Sequence, residues 1–421
     1  MIDKIKKTAY AAALLAAIVQ AGPAAGQTDI HLSTEKPGGG LVPIVVRDLG
    51  STNEKLAGTA SYMTGVLLKD LLYTSIFDPL RFESGTDGLS GGRTATAIVE
   101  GTVSAEGERY YLDAKLLDYT SREVIFSKRY SFVEAAKRTV AHHLSDEILF
   151  FLMGEKGVAT TRILFTRRDG RHKNLHVADY DGFAERKITG GELVVSPEWL
   201  DAQRFCFTSY RRENPDCYLM DLAANTRTNI SHRQGINIAG SWFQGSGELA
   251  MTLSLKGNSE IYLIKPDGEI VRRLTDNRAI DCSPSWAPNG RELVFVSDRT
   301  GGPQLYIMDN YGGNTRRLTF NGTYNTSPAW SPSGDMIAYV SRVGGIFQLS
   351  LIAPDGKWED TVFENQMSCE DPSWAPDGRH IAATVKYGGK PWIVIIDVET
   401  GNLRRLAEGE TASWSPLGDL R

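Results

Sequence analysis

The chain has 421 residues, 41% of them hydrophobic, with 42 glycines, 17 prolines and a formal charge of −5. That is a globular, turn-rich composition, long enough for two or three domains. The charge gives nucleic acid or an anionic membrane no footing, and four cysteines with no CxxC spacing argue against a disulfide scaffold or a structural zinc site.

In chain order, Lys4, Lys6 and Lys7 precede the apolar run "AYAAALLAAIVQA", and "GPAAG" follows with small residues ahead of Gln27. The run is short for a bilayer span. Residues 1–26 read as a secretory signal peptide, so the protein is expected to work outside the cytoplasm with no direct membrane insertion. Residues 27–40, "QTDIHLSTEKPGGG", read as an extended N-terminal arm: Ile30 and Leu32 fall on one side, and Gly38 to Gly40 free it to swing.

Residues 41–158 read as a small α/β domain. "LVPIVVRDL" is a buried strand, and "ASYMTGVLLKDLLYTSIF" has apolar residues at helical spacing, ended by Pro79. "ESGTDGLSGGRT" is a glycine-rich loop. "ATAIVEGTVSA", "RYYLDAKLLDY" and "EVIFSKRYSF" alternate as strands, and "VEAAKRTVAHHLSDEILFFLMG" closes with a second helix.

The rest of the chain repeats. Trp199, Trp242, Trp286, Trp330, Trp374 and Trp414 are spaced by 43, 44, 44, 44 and 40 residues, the period of a four-stranded propeller blade. In the clearest copy a strand ends at Trp286 and "APNG" turns. "ELVFVS", "QLYIMD" and "TRRLT" follow as strands two to four. Third-strand segments also number six, but the first precedes Trp199 and nothing except "SPLGDLR" follows Trp414. The C-terminal strand therefore fills the inner place of the blade that begins at Ile163, closing a ring with no open edge. The expected fold is a small α/β N-terminal domain followed by an all-β six-bladed β-propeller over 159–421.

Turns after strands one and three are short and stereotyped, whereas the connections after strands two and four are longer and varied. The second set marks the binding face. Each within-blade loop there carries a basic residue (Arg168, Arg211, Lys256, Arg299, Arg342, Lys386), and between-blade loops add Glu192, Asp281, Glu370 and Glu410. Such a rim suits oriented protein recognition. On adjacent strands of one blade, Cys206 and Cys217 could bridge if they share a face, while Cys282 and Cys369, two blades apart, are expected to stay unbridged.

Catalytic patterns find no context. Gly88, Ser90 and Gly92 spell G-x-S-x-G, but in a polar loop rather than a strand-to-helix elbow. His172 and His176 flank the start of a strand and are expected not to share a face. His142 and His143 lack an HExxH, and "DYDG" at Asp179 is a tight turn without a calcium ligand set. No enzyme activity, cofactor or metal is expected.

The repeat P-x-W-S-P-x-G…Y-V-M-D…R-x-L-T, the junction "SDEILFFLMGEKGVATTRILF", "ADYDG" in the first blade and the stop just after a final "WSP" together resemble the TolB family over essentially the whole mature chain. "SPEWLDAQ" and "AGSWFQGSG" depart from the turn pattern. The resemblance implies a monomeric, non-enzymatic periplasmic component of the Tol–Pal system. It implies a link between the inner-membrane Tol complex and the lipoprotein Pal, in support of outer-membrane constriction at cell division and envelope integrity. It also implies Pal on the loop face, at Asn237, Asp281, Cys282, Arg299, Asn325, Cys369 and Glu370. TolA would read the arm at Asp29, Ile30, His31, Leu32 and Ser33. The competing classes are a secreted peptidase, for which no hydrolase domain is left over, and a carbohydrate-binding propeller using aromatics such as Tyr324.

Overall fold

The computed structural model describes residues 40–82, 94–362 and 368–418. The arm at Asp29 to Ser33, the segment read as a signal peptide and the G-x-S-x-G loop lie outside them. In the α/β domain, β1 (Val42–Arg47), β3 (Phe77–Phe82), β4 (Ala97–Glu106), β5 (Arg109–Asp118) and β6 (Val124–Phe132) form a sheet in the order β3-β1-β4-β5-β6, and β2 (Gly50–Ser51) pairs with β4. β1 runs parallel to both neighbours, and β4, β5 and β6 are antiparallel. Helices α1 (Ala57–Tyr73) and α2 (Lys137–Met153) bury Met63, Leu67, Leu71, Leu144 and Ile148 against Val46, Val99 and Leu112 in one core.

One expectation is corrected here. Pro79 does not end α1; the helix stops at Tyr73, where Thr74 Oγ1 donates to Leu71 O (2.7 Å) and Ser75 takes a φ of 56°. Pro79 lies instead in the edge strand β3, opposite Ile44. An edge strand tolerates proline because one side of it needs no donor.

The propeller consists of six four-stranded antiparallel sheets. The inner strands of blades two to six are Val194–Trp199, Asn237–Phe243, Asp281–Trp286, Asn325–Trp330 and Cys369–Trp374. Blade one takes its inner strand, Glu410–Trp414, from the C-terminal end, with Trp414 opposite Ile163 and Ser413 opposite Leu164. The ring closes as the offset of the repeats requires. Phe165, Phe205, Phe207 and Phe295 are fully buried between sheets, each worth roughly 1.5–3 kcal/mol.

A second device stitches blade to blade. The residue before each tryptophan accepts a hydrogen bond from the tryptophan N–H of the next blade: Ser413 from Trp199 (3.3 Å), Glu198 from Trp242 (3.5 Å), Ser241 from Trp286 (3.2 Å), Ser285 from Trp330 (3.0 Å) and Ser373 from Trp414 (2.9 Å). Blade five has Ala329 there, and its carbonyl instead takes the indole N–H of Trp374 (3.0 Å). The repeat's serine is therefore a ring-closing acceptor.

The α/β domain packs on the short-turn face. Tyr180 of the "DYDG" turn donates to Asp70 on α1 (2.6 Å), Asp70 also meets His142 Nδ1 on α2 (2.7 Å), and Asp181 pairs with Arg138. Arg404 donates to Tyr180 O (2.8 Å) with its guanidinium 4.2 Å from the Tyr73 ring centre, and Arg379 reaches Ser75 O (3.2 Å). Gly182, at φ 86°, closes the turn where a Cβ would stand 3.1 Å from Leu406 O. Among the described residues, these hydrogen bonds and ion pairs to the α/β domain all come from the short-turn side of the ring.

Candidate partner-binding face

The loop face is built on the first residue of each inner strand. Asn237, Asp281 and Asn325 are fully buried there and hold the connector from the preceding blade. Asn237 donates to Arg233 O (2.6 Å) and Gly235 O (3.0 Å), and Asn325 to Asn321 O (2.8 Å) and Gln304 Oε1 (2.9 Å). Asp281 accepts from Asn277 Nδ2 (2.7 Å) and pairs with Arg299 through both carboxylate oxygens (3.1 and 3.0 Å). Cys369 is buried at the equivalent place in blade six, where desolvation pushes its thiol up to about 12. Cys282 and Glu370 are half-buried, and Arg299 is exposed.

These seven candidates thus divide into four buried pegs and three neighbours nearer the surface. Asp281, expected among the charges of the loop rim, is instead completely buried against Arg299. A side chain with that amount of structural bonding sets the shape of a loop.

The charged rim also divides. Arg227–Glu192 (2.8 Å), Arg299–Asp281 (3.0 Å), Lys386–Glu370 (3.5 Å) and Lys173–Glu410 (3.1 Å) are ion pairs. By contrast, Arg168, Arg211, Lys256 and Arg342 have no ion-pair partner among the described residues. The sequence displays both kinds of residue alike, because pairing depends on which loops the ring brings side by side.

Inside the ring the inner strands line a central channel of about 480 Å³. Each strand is bulged near its start, as between Cys282 and Ser285, and Ser196, Ser283, Ser327, Asp371 and Thr411 take φ near 50° there. Glu198, in the position most blades give to serine, lines the channel wall, and desolvation pushes its carboxyl up to about 8. Asp371 is raised to about 6, by desolvation first and by the adjacent Glu370 second. Among the described residues no three His, Cys, Asp or Glu side chains come together as a metal site would need.

His172 and His176 both lie inside the strand His172–Asp179, and residues four apart in a strand do share a face. The expectation of opposite faces is therefore wrong. They are still about 13 Å apart at 3.3 Å per residue, and His176 is engaged with Glu185 (2.9 Å). Cys206 stands opposite Leu219 and Cys217 opposite Thr208, so the two share a face one diagonal step apart, as free, fully buried thiols. A hydrogen bond to Cys217, then burial, holds the Cys206 thiol well above its ordinary range. Cys282 and Cys369 are also free.

A family model described as the TolB beta propeller domain matches residues 151–418. The chain belongs to the TolB propeller family. Over 181 residues it is 37% identical to the Tol-Pal system protein TolB of Desulfosudis oleivorans, covering 42% of this chain and 41% of that one. Over 261 residues it is 31% identical to the Tol-Pal system protein TolB of Gluconobacter oxydans, covering 59% and 56%. The match spans about half the length of these curated relatives. The crystal structure of TolB from Acinetobacter baumannii superposes with a TM-score of 0.79 at 23% identity, covering 90% of this chain and 97% of that one, which shows a shared fold. No helix of the described residues is long and apolar enough to cross a membrane. The segment "ADYDG" has a physical role in this arrangement that sequence reading missed, as the turn that docks the α/β domain through Tyr180 and Asp181.

Proposed function

We propose that the mature chain is a non-enzymatic periplasmic component of the Tol–Pal machinery. In this reading it links the inner-membrane Tol complex to the peptidoglycan-associated lipoprotein Pal, and so supports outer-membrane constriction at division and envelope integrity. The family match over residues 151–418 carries the reading. The clear loop face supports it, since long loops on a rigid ring suit a protein partner. Asn237, Asp281, Asn325 and Cys369 then act beneath the surface, shaping the loops that Pal meets, and Cys282, Arg299 and Glu370 lie nearer to it. The arm from Asp29 to Ser33 suits β-augmentation of TolA, where backbone hydrogen bonds supply affinity and alternate side chains supply register.

Titration calorimetry of the mature chain with the soluble domain of Pal tests the first link, and loss of that binding removes Pal from the scheme. Deleting 27–36 is expected to abolish TolA capture while sparing Pal binding and the melting temperature. If that deletion instead unfolds the α/β domain, the segment is a structural strand and no arm exists.

A further inference from the structure

Unpaired cations recur around the loop face, with Arg168 in blade one and Arg342 in blade five, but four of them fall on neighbouring loops of blades two to four. Arg211 and Arg212 in blade two, Lys256 in blade three and Arg278 in the connector to blade four are exposed, and none has an ion-pair partner among the described residues. On the opposite arc Arg168 and Arg342 are unpaired too, but they stand singly among paired lysines, with Lys386 on Glu370, Lys390 on Glu408 and Lys173 on Glu410. The protein as a whole carries −5, so this cationic arc runs against its own net charge.

Apolar side chains are interleaved with these cations. Leu193, Tyr210, Ile236 and Leu255 are each more than one-third exposed, and Ile280 is 50% exposed. Backbone bonds make them one continuous surface. Tyr210 N donates to Leu193 O (2.9 Å), and Ser254 N, beside Leu255, donates to Ile236 O (3.2 Å). Asn214 bridges the loop of blade two to Arg233 O (3.0 Å), and Asn258 bridges that of blade three to Asn277 O (3.0 Å) and Ala279 O (2.6 Å), next to Arg278 and Ile280. The crescent therefore crosses blades two to four with its loops mutually pinned, so docking would cost little loop entropy.

We infer that this crescent is the contact surface for an acidic protein segment with apolar anchors. The inference rests on the loop face being the partner face, and it names the partner's chemistry there. Interleaved leucine and isoleucine favour a protein over a nucleic acid, which would ask for stacking aromatics. Apolar anchors supply the affinity, and the unpaired cations supply orientation and on-rate.

Three probes test it: the soluble Pal domain, a short soluble peptide of aspartates and glutamates bearing two leucines, and vesicles rich in phosphatidylglycerol. The charge variant is Arg211→Glu with Lys256→Glu. The apolar variant is Leu255→Ser with Ile280→Ser, and both are checked for an unchanged melting temperature. The acidic peptide is expected to bind the wild-type chain, to lose at least ~10-fold in affinity on the charge variant, and to weaken with added salt. Vesicles are expected not to bind. If Pal fails to bind while the peptide behaves as expected, the crescent stands and the Pal assignment falls. If Pal binds but neither variant weakens it while the peptide behaves as expected, Pal uses another surface and the crescent stands without it. Failure of the peptide to bind, binding to the charge variant or the apolar variant as tight as to the wild type, or vesicle binding overturns the crescent inference.

Discussion

Asp281 shows how a carboxylate expected on a binding face can lie wholly beneath it. Its position beside a basic loop residue was visible in the sequence. Its depth was not, because burial is set by the neighbouring connector folding over it through Asn277. Removing it as Asp281→Ala leaves Arg299, 28% exposed in its side chain, without its counter-charge. A fully buried broken pair costs about 3–5 kcal/mol; with Arg299 partly solvated, about 2–4 kcal/mol is expected. Adding Arg299→Ala should recover part of the loss in a double-mutant cycle of thermal or urea unfolding. If the single variant is as stable as the wild type, Asp281 is no peg. Glu198 makes stability depend on pH. Its carboxyl is raised to about 8, so between the ordinary glutamate range near 4.5 and pH 8 the folded protein keeps a proton that the unfolded chain releases. Stability from this group is complete below the ordinary value and falls as pH rises through the window. Glu198→Gln keeps an acceptor for Trp242 N–H and removes the titration. The variant should match the wild type near pH 4.5 and exceed it at pH 8 by roughly 2 kcal/mol, less than the full ~1.4 kcal/mol per unit because the side chain borders the channel. Equal stability difference at both pH values would remove Glu198 as the cause.

At the scale of elements, the repeat made the blades legible because four strands per 44 residues leave a periodic trace in tryptophan, proline and glycine. The offset of first and last copies even specified closure, since an unpaired inner place and an unpaired strand can satisfy each other. The strand β3 left no such trace. It is short, carries a proline and sits at an edge, so its sequence resembles a helix terminus. The stitching serines were in plain view before four of the six tryptophans, but their partners belong to the next blade and have no sequence proximity. Truncation from Thr411 tests the closing element. It deletes Trp414, 5% exposed with its indole on Thr161 Oγ1 (2.8 Å), and Ser413, whose carbonyl takes the Trp199 indole (3.0 Å). The tryptophan alone accounts for about 3–5 kcal/mol, and the exposed edge of Arg162–Asp169 adds an aggregation risk. A large fall in melting temperature is expected, and an unchanged one would mean the ring is held by other contacts.

For the whole molecule, the α/β domain and the propeller have separate apolar cores, and what crosses between them is largely polar. Asp70 is the centre of that contact: 1% exposed, it holds His142 of its own domain and Tyr180 of the propeller. The sequence displayed all three residues without any sign that they meet, because Asp70 and Tyr180 are 110 positions apart. Tyr180→Phe removes the only hydroxyl that reaches Asp70 Oδ1 among the described bonds and leaves that oxygen desolvated, at a cost of about 1–3 kcal/mol. Most of that loss falls on the coupling between domains, since the phenylalanine ring still packs beside Tyr73 and His142. Adding Arg138→Ala breaks the Asp181 pair, the second charged link. Scanning calorimetry should therefore show one transition for the wild type. The double variant should show two, with the propeller melting near its original temperature and the α/β domain melting earlier. If the double variant unfolds in one unshifted transition, the polar contacts do not couple the domains, and the apolar fringe around Tyr73 and Val158 must do so instead.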